Sequence, residues 1–157
     1  MKLELGRRAD YAIRCVVALA GAHGDGQRHK AADIAADMDV PVSYVPRILA
    51  ELVRAGITES LAGRDGGYRL ARDPAAVSLL DVVSAVDGEL SSTACVLRGG
   101  PCRWHDACAV HEPWARAQQA LLDELAATSL ADVVATDRQL QAGTYQLPPE
   151  LQGGRRR

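Results

Sequence analysis

Residues 41–71 read PVSYVPRILAELVRAGITESLAGRDGGYRLA, and the order of residue types in this stretch decides the fold. Ile48, Leu49, Leu52 and Val53 recur at helical spacing and mark one apolar helix face. Ser43 suits the N-cap, Pro46 falls in the first turn where its missing N–H costs little, and Gly56 suits the C-terminal end. Two β-prone runs follow, 57–61 (ITESL) and 68–71 (YRLA), on either side of a Gly-rich turn, which is the signature of a hairpin. Upstream, 30–37 (KAADIAAD) reads as a short helix with Ile34 and Met38 inward, and Asp39-Val40-Pro41 as a turn. Helix, turn, helix and Gly-tipped hairpin, in that order, spell a winged helix-turn-helix.

Outward from this centre the pattern stays helical. Tyr11, Ala12, Cys15, Val16, Leu19 and Ala20 form the apolar stripe of a first helix over about 7–22, which makes Cys15 a core residue. Residues 24–29 read as a polar loop, with His23 and His29 solvated. Downstream, Leu79, Leu80, Val82, Val83 and Val86 mark another short helix, with Ser78 and Asp81 placed for a capping box. Residues 88–111 carry no clear period. A helix follows over 112–127, with Trp114, Leu121, Leu122 and Leu125 on one broad face, then a short helix capped by Ser129 and Asp132. The expected fold class is mainly α with a small β wing: a winged helix-turn-helix domain (1–87), an irregular loop (88–111), a long helix with a short terminal one (112–136), and an unstructured tail (137–157).

Composition agrees. The 157 residues are 48% apolar and 24% charged, ordinary for a globular chain, and with no Phe and 4% aromatics the core rests on Ala, Leu and Val. The net charge of −2 speaks against indiscriminate polyanion binding. It is unevenly spread: residues 1–72 carry 11 Lys+Arg against 9 Asp+Glu, so the N-terminal half is the better candidate for facing phosphate. Lys2, Arg7 and Arg8 before the apolar run 15–22 mimic a secretory leader, but Asp10 and Arg14 interrupt it, so a cytoplasmic location is expected. No run approaches the ~20 apolar residues of a membrane span. No nucleophile–base pair, phosphate loop or paired-carboxylate signature points to an enzyme.

A winged helix docks its second helix in the major groove, so Ser43, Tyr44 and Arg47 are the candidate DNA-binding residues there. Arg47 can pair bidentately with guanine; Ser43 and Tyr44 suit phosphate. In the wing, Gly63, Arg64, Gly66 and Gly67 offer bare backbone and one guanidinium to the minor groove or phosphates. The plainer alternative is a helical hairpin used for protein contact.

The chemistry-bearing element is the loop. Six residues separate Cys95 from Cys102, five separate Cys102 from Cys108, and two separate Cys108 from His111. Core packing explains such a cluster poorly, and cytosolic chains seldom use one as disulfides. Thiolates in a flexible loop suit an iron–sulfur cluster. Three Cys and one His equally make a structural zinc site, although zinc sites usually show a gap of about two to four residues between paired cysteines. Spacing leaves the two level.

Taken together, DYAIRCVVALA (10–20), SYVPR (43–47), LVRAG (52–56), GRDGGYRL (63–70), LLDVVSAVDG (79–88), the cysteine triplet and SLADVV (129–134) resemble the bacterial family of iron–sulfur winged-helix transcriptional regulators that includes IscR, NsrR and RirA. The likeness covers about residues 1–135. It implies a homodimer joined by the helix at 112–127, bound to a palindromic operator in double-stranded DNA, mostly as a repressor. It implies that Cys95, Cys102 and Cys108 hold the cluster, through which redox state, nitric oxide or iron supply is sensed. In proteins like IscR a histidine three residues after the last cysteine completes a [2Fe–2S] site, and His111 stands there. In proteins like NsrR an aspartate of the partner's first helix completes a [4Fe–4S] site, and Asp10 stands there. His111 is the favoured ligand, since Asp10 has an alternative use in pairing with Arg14. Two departures concern DNA: the wing arginine of several relatives is Ala62 here, with Arg64 two positions on, and the base-reading glutamate of proteins like IscR is Pro46. A zinc-stapled regulator and, in another class, an electron-transfer protein are the rival readings.

Overall fold

The computed structural model describes residues 5–88 and 108–149. In chain order these hold α1 (Arg7–Gly21), α2 (Ala31–Asp37), α3 (Val45–Arg54), β1 (Thr58–Leu61), β2 (Gly67–Leu70), a 3₁₀ turn (Pro74–Ala76), α4 (Leu79–Asp87), α5 (His111–Ala127) and α6 (Leu130–Gln141). The fold is mainly α with a small β wing, as the sequence implies.

The core is built on α1. Its stripe Ala9, Ala12, Cys15, Val16, Leu19 and Ala20 is buried, and α2, α3, α4, α6 and β2 all pack against the helix. From α3 come Val45, Ile48, Leu49 and Leu52; from α4, Val82, Val83 and Val86; from α6, Leu130 and Val134. Small residues at 9 and 12 let neighbouring backbones approach α1 closely. Cys15 is fully buried, and that desolvation pushes its thiol up to about 12, so it packs as a neutral apolar group.

The helix-turn-helix is α2 and α3. The sequence reading places the N-cap of α3 at Ser43; in the structure it is Tyr44. The Tyr44 N–H donates to the Pro41 carbonyl at 2.9 Å, closing a turn that delays the helix by one residue and puts Pro46 at its second position. β1 and β2 pair antiparallel with Thr58 opposite Leu70 and Leu61 opposite Gly67. His29, expected as a solvated loop residue, has its backbone paired with β2: its N–H donates to the Tyr68 carbonyl at 2.8 Å, and its carbonyl accepts from the Tyr68 N–H at 2.9 Å.

Both capping boxes are formed. The Ser78 hydroxyl accepts from Asp81 N–H and the Ser129 hydroxyl from Asp132 N–H, each carboxylate reaching back to its serine N–H. The two N-caps also lie side by side. Leu79 N–H donates to the Thr128 carbonyl and Leu130 N–H to the Val77 carbonyl, both at 2.9 Å, so α4 and α6 start from one short bridge. α6 runs past residue 137, where the polar composition reads as tail. Gln141 bonds Asp137 one turn back, and Arg138 donates to the Gly21 carbonyl at 3.1 Å, anchoring the end of α6 on the end of α1.

Leu52→Ala is expected to lower unfolding stability by about 2–5 kcal/mol in a urea titration, since it opens a cavity under the recognition helix. Ser129→Ala is expected to lower the melting temperature by roughly 3 °C at neutral pH. Hydrogen bonds from Ser129 hold the Asp132 carboxyl below its usual range. That stabilisation is therefore present above the unfolded carboxyl pKa and fades as pH falls through the lower folded value, so the gap between wild type and Asp132→Asn should close in acid. A gap that persists unchanged there would contradict the capping role.

Candidate nucleic-acid interface and cluster loop

Two surfaces carry the residues singled out above. The first is the outward side of the helix-turn-helix and wing. At the start of α3, Ser43, Tyr44 and Arg47 are all exposed, with the Arg47 side chain 79% accessible. Tyr44 does not hang free: its ring meets that of Tyr11 on α1 edge-on, with centroids 5.4 Å apart. Arg47 lies 3.9 Å from Glu51, a loose pair that leaves its guanidinium outward. Glu51 itself is nearly buried, because Arg8 from α1 closes over it at 2.7 Å. An acid on the recognition helix is thus neutralised from behind, and the face keeps its positive character.

In the wing the glycines divide by role. Gly63 and Arg64 are exposed at the tip, and Gly63 has φ +101°, which a side chain would resist. Gly66 and Gly67 are buried inside the hairpin. A Cβ on Gly66 would stand 2.1 Å from the Leu61 carbonyl oxygen, and one on Gly67, 2.7 Å from that of His29. These two shape the turn, and Arg64 is the cation the tip presents. Lys30, at the start of α2, was not singled out in the sequence. Its ammonium donates to the carbonyls of Arg64 at 2.8 Å and Gly63 at 3.4 Å. Arg28 and Arg69 share the Glu59 carboxylate at 2.9 and 2.6 Å on the same hairpin.

The second surface begins at α5. Cys95 and Cys102 lie outside the described residues. Cys108 and His111 fall within them and bracket the turn that opens α5: His111 N–H donates to the Cys108 carbonyl at 3.0 Å, and Val110 N–H points at the Cys108 sulfur at 3.4 Å. A backbone N–H aimed at sulfur is what a metal-bound or cluster-bound thiolate accepts, so this half of the donor set fits a thiolate-held group. Among the described residues no group of three or more His, Cys, Asp or Glu side chains is placed to hold a metal ion. Asp10, in the first turn of α1, accepts from Arg14 Nε at 2.9 Å.

A family model described as "Rrf2: Iron-dependent Transcriptional regulator" matches residues 5–136. The chain belongs to the Rrf2 family. Among its relatives, the HTH-type transcriptional regulator IscR of Klebsiella pneumoniae (strain 342) is 30% identical over 121 residues, 77% of this chain and 74% of that protein. Among solved structures, CymR (YrzC), the global cysteine regulator of B. subtilis, superposes with TM-score 0.72 at 25% identity, covering 85% of this chain and 98% of that one. T. potens IscR does so with TM-score 0.70 at 21% identity, covering 94% and 96%. The protein is therefore an Rrf2-family transcriptional regulator with a winged-helix fold, and its named relatives are DNA-binding (HTH-type) transcriptional regulators. Among the described residues no helix is long and apolar enough to cross a membrane.

Gly66→Ala tests the division of the wing. The added Cβ should force the hairpin open, abolishing duplex binding in a mobility-shift assay while the helical circular-dichroism signal stays near wild type. Unaltered binding would show that the hairpin plays no part.

Proposed function

We propose that this Rrf2 regulator is a cytoplasmic homodimer whose grip on a palindromic operator is set by an iron–sulfur cluster. Cys95, Cys102 and Cys108 would hold the cluster, His111 would complete it, and repression is the expected output. The observation that carries the reading is the shared N-terminal turn of α5, where the Cys108 sulfur already receives a backbone N–H and His111 follows within one turn. Similarity to IscR and to a family described as iron-dependent supports it. Asp10 is the less favoured fourth ligand, since its carboxylate is engaged by Arg14 in the same chain. When bound, the cluster supplies a group whose charge or presence responds to oxidant, nitric oxide or iron. Zinc in the same residues would supply only a staple.

The chain's own residues do the rest. α5 spans 17 residues without one buried side chain, although Trp114, Leu122 and Leu125 are half-buried and Leu121 is 50% exposed. A helix so exposed is marginal alone, so we assign it to pairing with a second copy. Pairing would set two α3 helices roughly one helical turn, ~34 Å, apart on the duplex. Arg47 would read a guanine edge; Ser43, Tyr44 and the wing residues Gly63 and Arg64 would hold backbone and minor groove.

Anaerobic purification tests the reading directly. Brown protein with iron and sulfide counted per chain by native mass spectrometry is expected, and colourless zinc-loaded protein would exclude it. Cys102→Ala should remove the absorbance and change operator affinity. His111→Ala should alter the spectrum or cluster lifetime more than Asp10→Ala does; the reverse ranking would make Asp10 the ligand. If affinity is equal with and without cluster, sensing fails. If duplex binding lacks a steep salt dependence, the electron-carrier alternative gains.

A further inference from the structure

We propose that Lys30 is the positioning residue of the wing: it fixes the angle at which Arg64 meets DNA and makes no phosphate contact of its own. The inference rests on the assignment of Arg64 to the DNA face. It starts from two anchor points between consecutive residues and one hairpin. On the free edge of β2, one residue from its tip-side end, His29 exchanges two backbone hydrogen bonds with Tyr68, at 2.8 and 2.9 Å. At its tip, the Lys30 ammonium donates to the Gly63 and Arg64 carbonyls, 33 and 34 residues away in sequence.

A hairpin held through one strand leaves its turn free to flex, because a two-stranded ribbon is only weakly stable. A second anchor at the tip removes that freedom. Lys30 is also where the helix-turn-helix begins: its carbonyl accepts the Asp33 and Ile34 N–H groups, both at 3.1 Å. The wing tip is thereby referenced to the first helix of the reader. Charge chemistry suits this role. A lysine ammonium has three donors and no fork geometry, so it can gather two neighbouring carbonyls. One ammonium reaches the carbonyls of both Gly63 and Arg64 at the tip.

The test is a double-mutant cycle on a duplex recovered from a random-sequence pool by binding to the unmodified protein. Arg64→Ala is expected to weaken binding about tenfold. Lys30→Met should weaken it about threefold to tenfold, and the double variant no more than Arg64→Ala alone. Lys30→Arg should restore most of the loss, since a guanidinium can donate to the same carbonyls. The slope of log affinity against log salt should fall by about one for Arg64→Ala if Arg64 contacts a phosphate, and stay unchanged for a Lys30→Met/Arg64→Ala pair relative to Arg64→Ala. Additive losses with a further drop in slope would make Lys30 a phosphate contact and overturn the proposal. A wild-type affinity for Lys30→Met beside a weakened Arg64→Ala would overturn it while leaving the wing assignment standing. No effect of Arg64→Ala would remove the wing assignment, and this inference with it. Melting curves identify any variant that is unfolded, in which case Lys30→Gln replaces Lys30→Met in the cycle.

Discussion

The structure depends on the burial of one face of α1. Ala9, Ala12, Cys15, Val16 and Leu19 are at most 2% exposed, and the reader helices, the wing strand β2, α4 and α6 are all laid against this helix. The stripe mixes small residues with branched ones, so backbones come close at one end and side chains interlock at the other. Within the stripe the one polar side-chain group is the thiol of Cys15, which desolvation keeps protonated. What α1 offers is a common reference. The recognition helix, the wing and the C-terminal arm keep fixed relative positions because each is packed on the same surface.

α5 is the counterexample inside the same fold. It is longer than α1, yet among the described residues it buries nothing and packs on α4. Its ends are better defined than its sides. One end opens beside Cys108, and the other closes at Thr128, whose carbonyl takes the first N–H of α4. A helix held at its ends and bare along its length is suited to have its sides covered by another chain.

Local chemistry was readable from sequence, and long-range chemistry was not. The Ser78–Asp81 and Ser129–Asp132 boxes were visible because a capping box is four residues long and uses a fixed residue pattern. The wing was visible because its tip needs glycine where φ turns positive and where a Cβ would strike a carbonyl. The buried stripes were visible as periods. By contrast, Arg8 on Glu51 spans 43 residues and Lys30 on Arg64 spans 34, and no period or motif marks either pair. The end of α6 falls past residue 137, where the Gly/Pro/Gln-rich composition from Gln141 onward makes the sequence read as tail; its helix is held by Arg138 on Gly21, again a distant contact. Half of the candidate cluster site shares this difficulty. Cys108 and His111 are tied by one turn of backbone, whereas Cys95 and Cys102 lie outside the described residues, and sequence spacing does not say where they stand.

The same long-range contacts set the charge on the exposed side of α3. Arg47 and Arg54 lie on one side of α3 with Glu51 between them, at 3.9 and 4.0 Å. Left alone, that carboxylate would partly cancel both cations. Arg8 takes its other oxygen at 2.7 Å, and the Asp87 carboxylate at the end of α4 adds to the field that holds Arg8 charged. The acid is thereby committed inward, to α1, and Arg47 stays free to turn outward. A Cβ on Gly6, at the start of α1, would stand 3.5 Å from the same Asp87 carboxylate. The first residues of α1 therefore meet α3 on one side and the end of α4 on the other. The charge balance of the exposed side of α3 is thus determined by the same helix end.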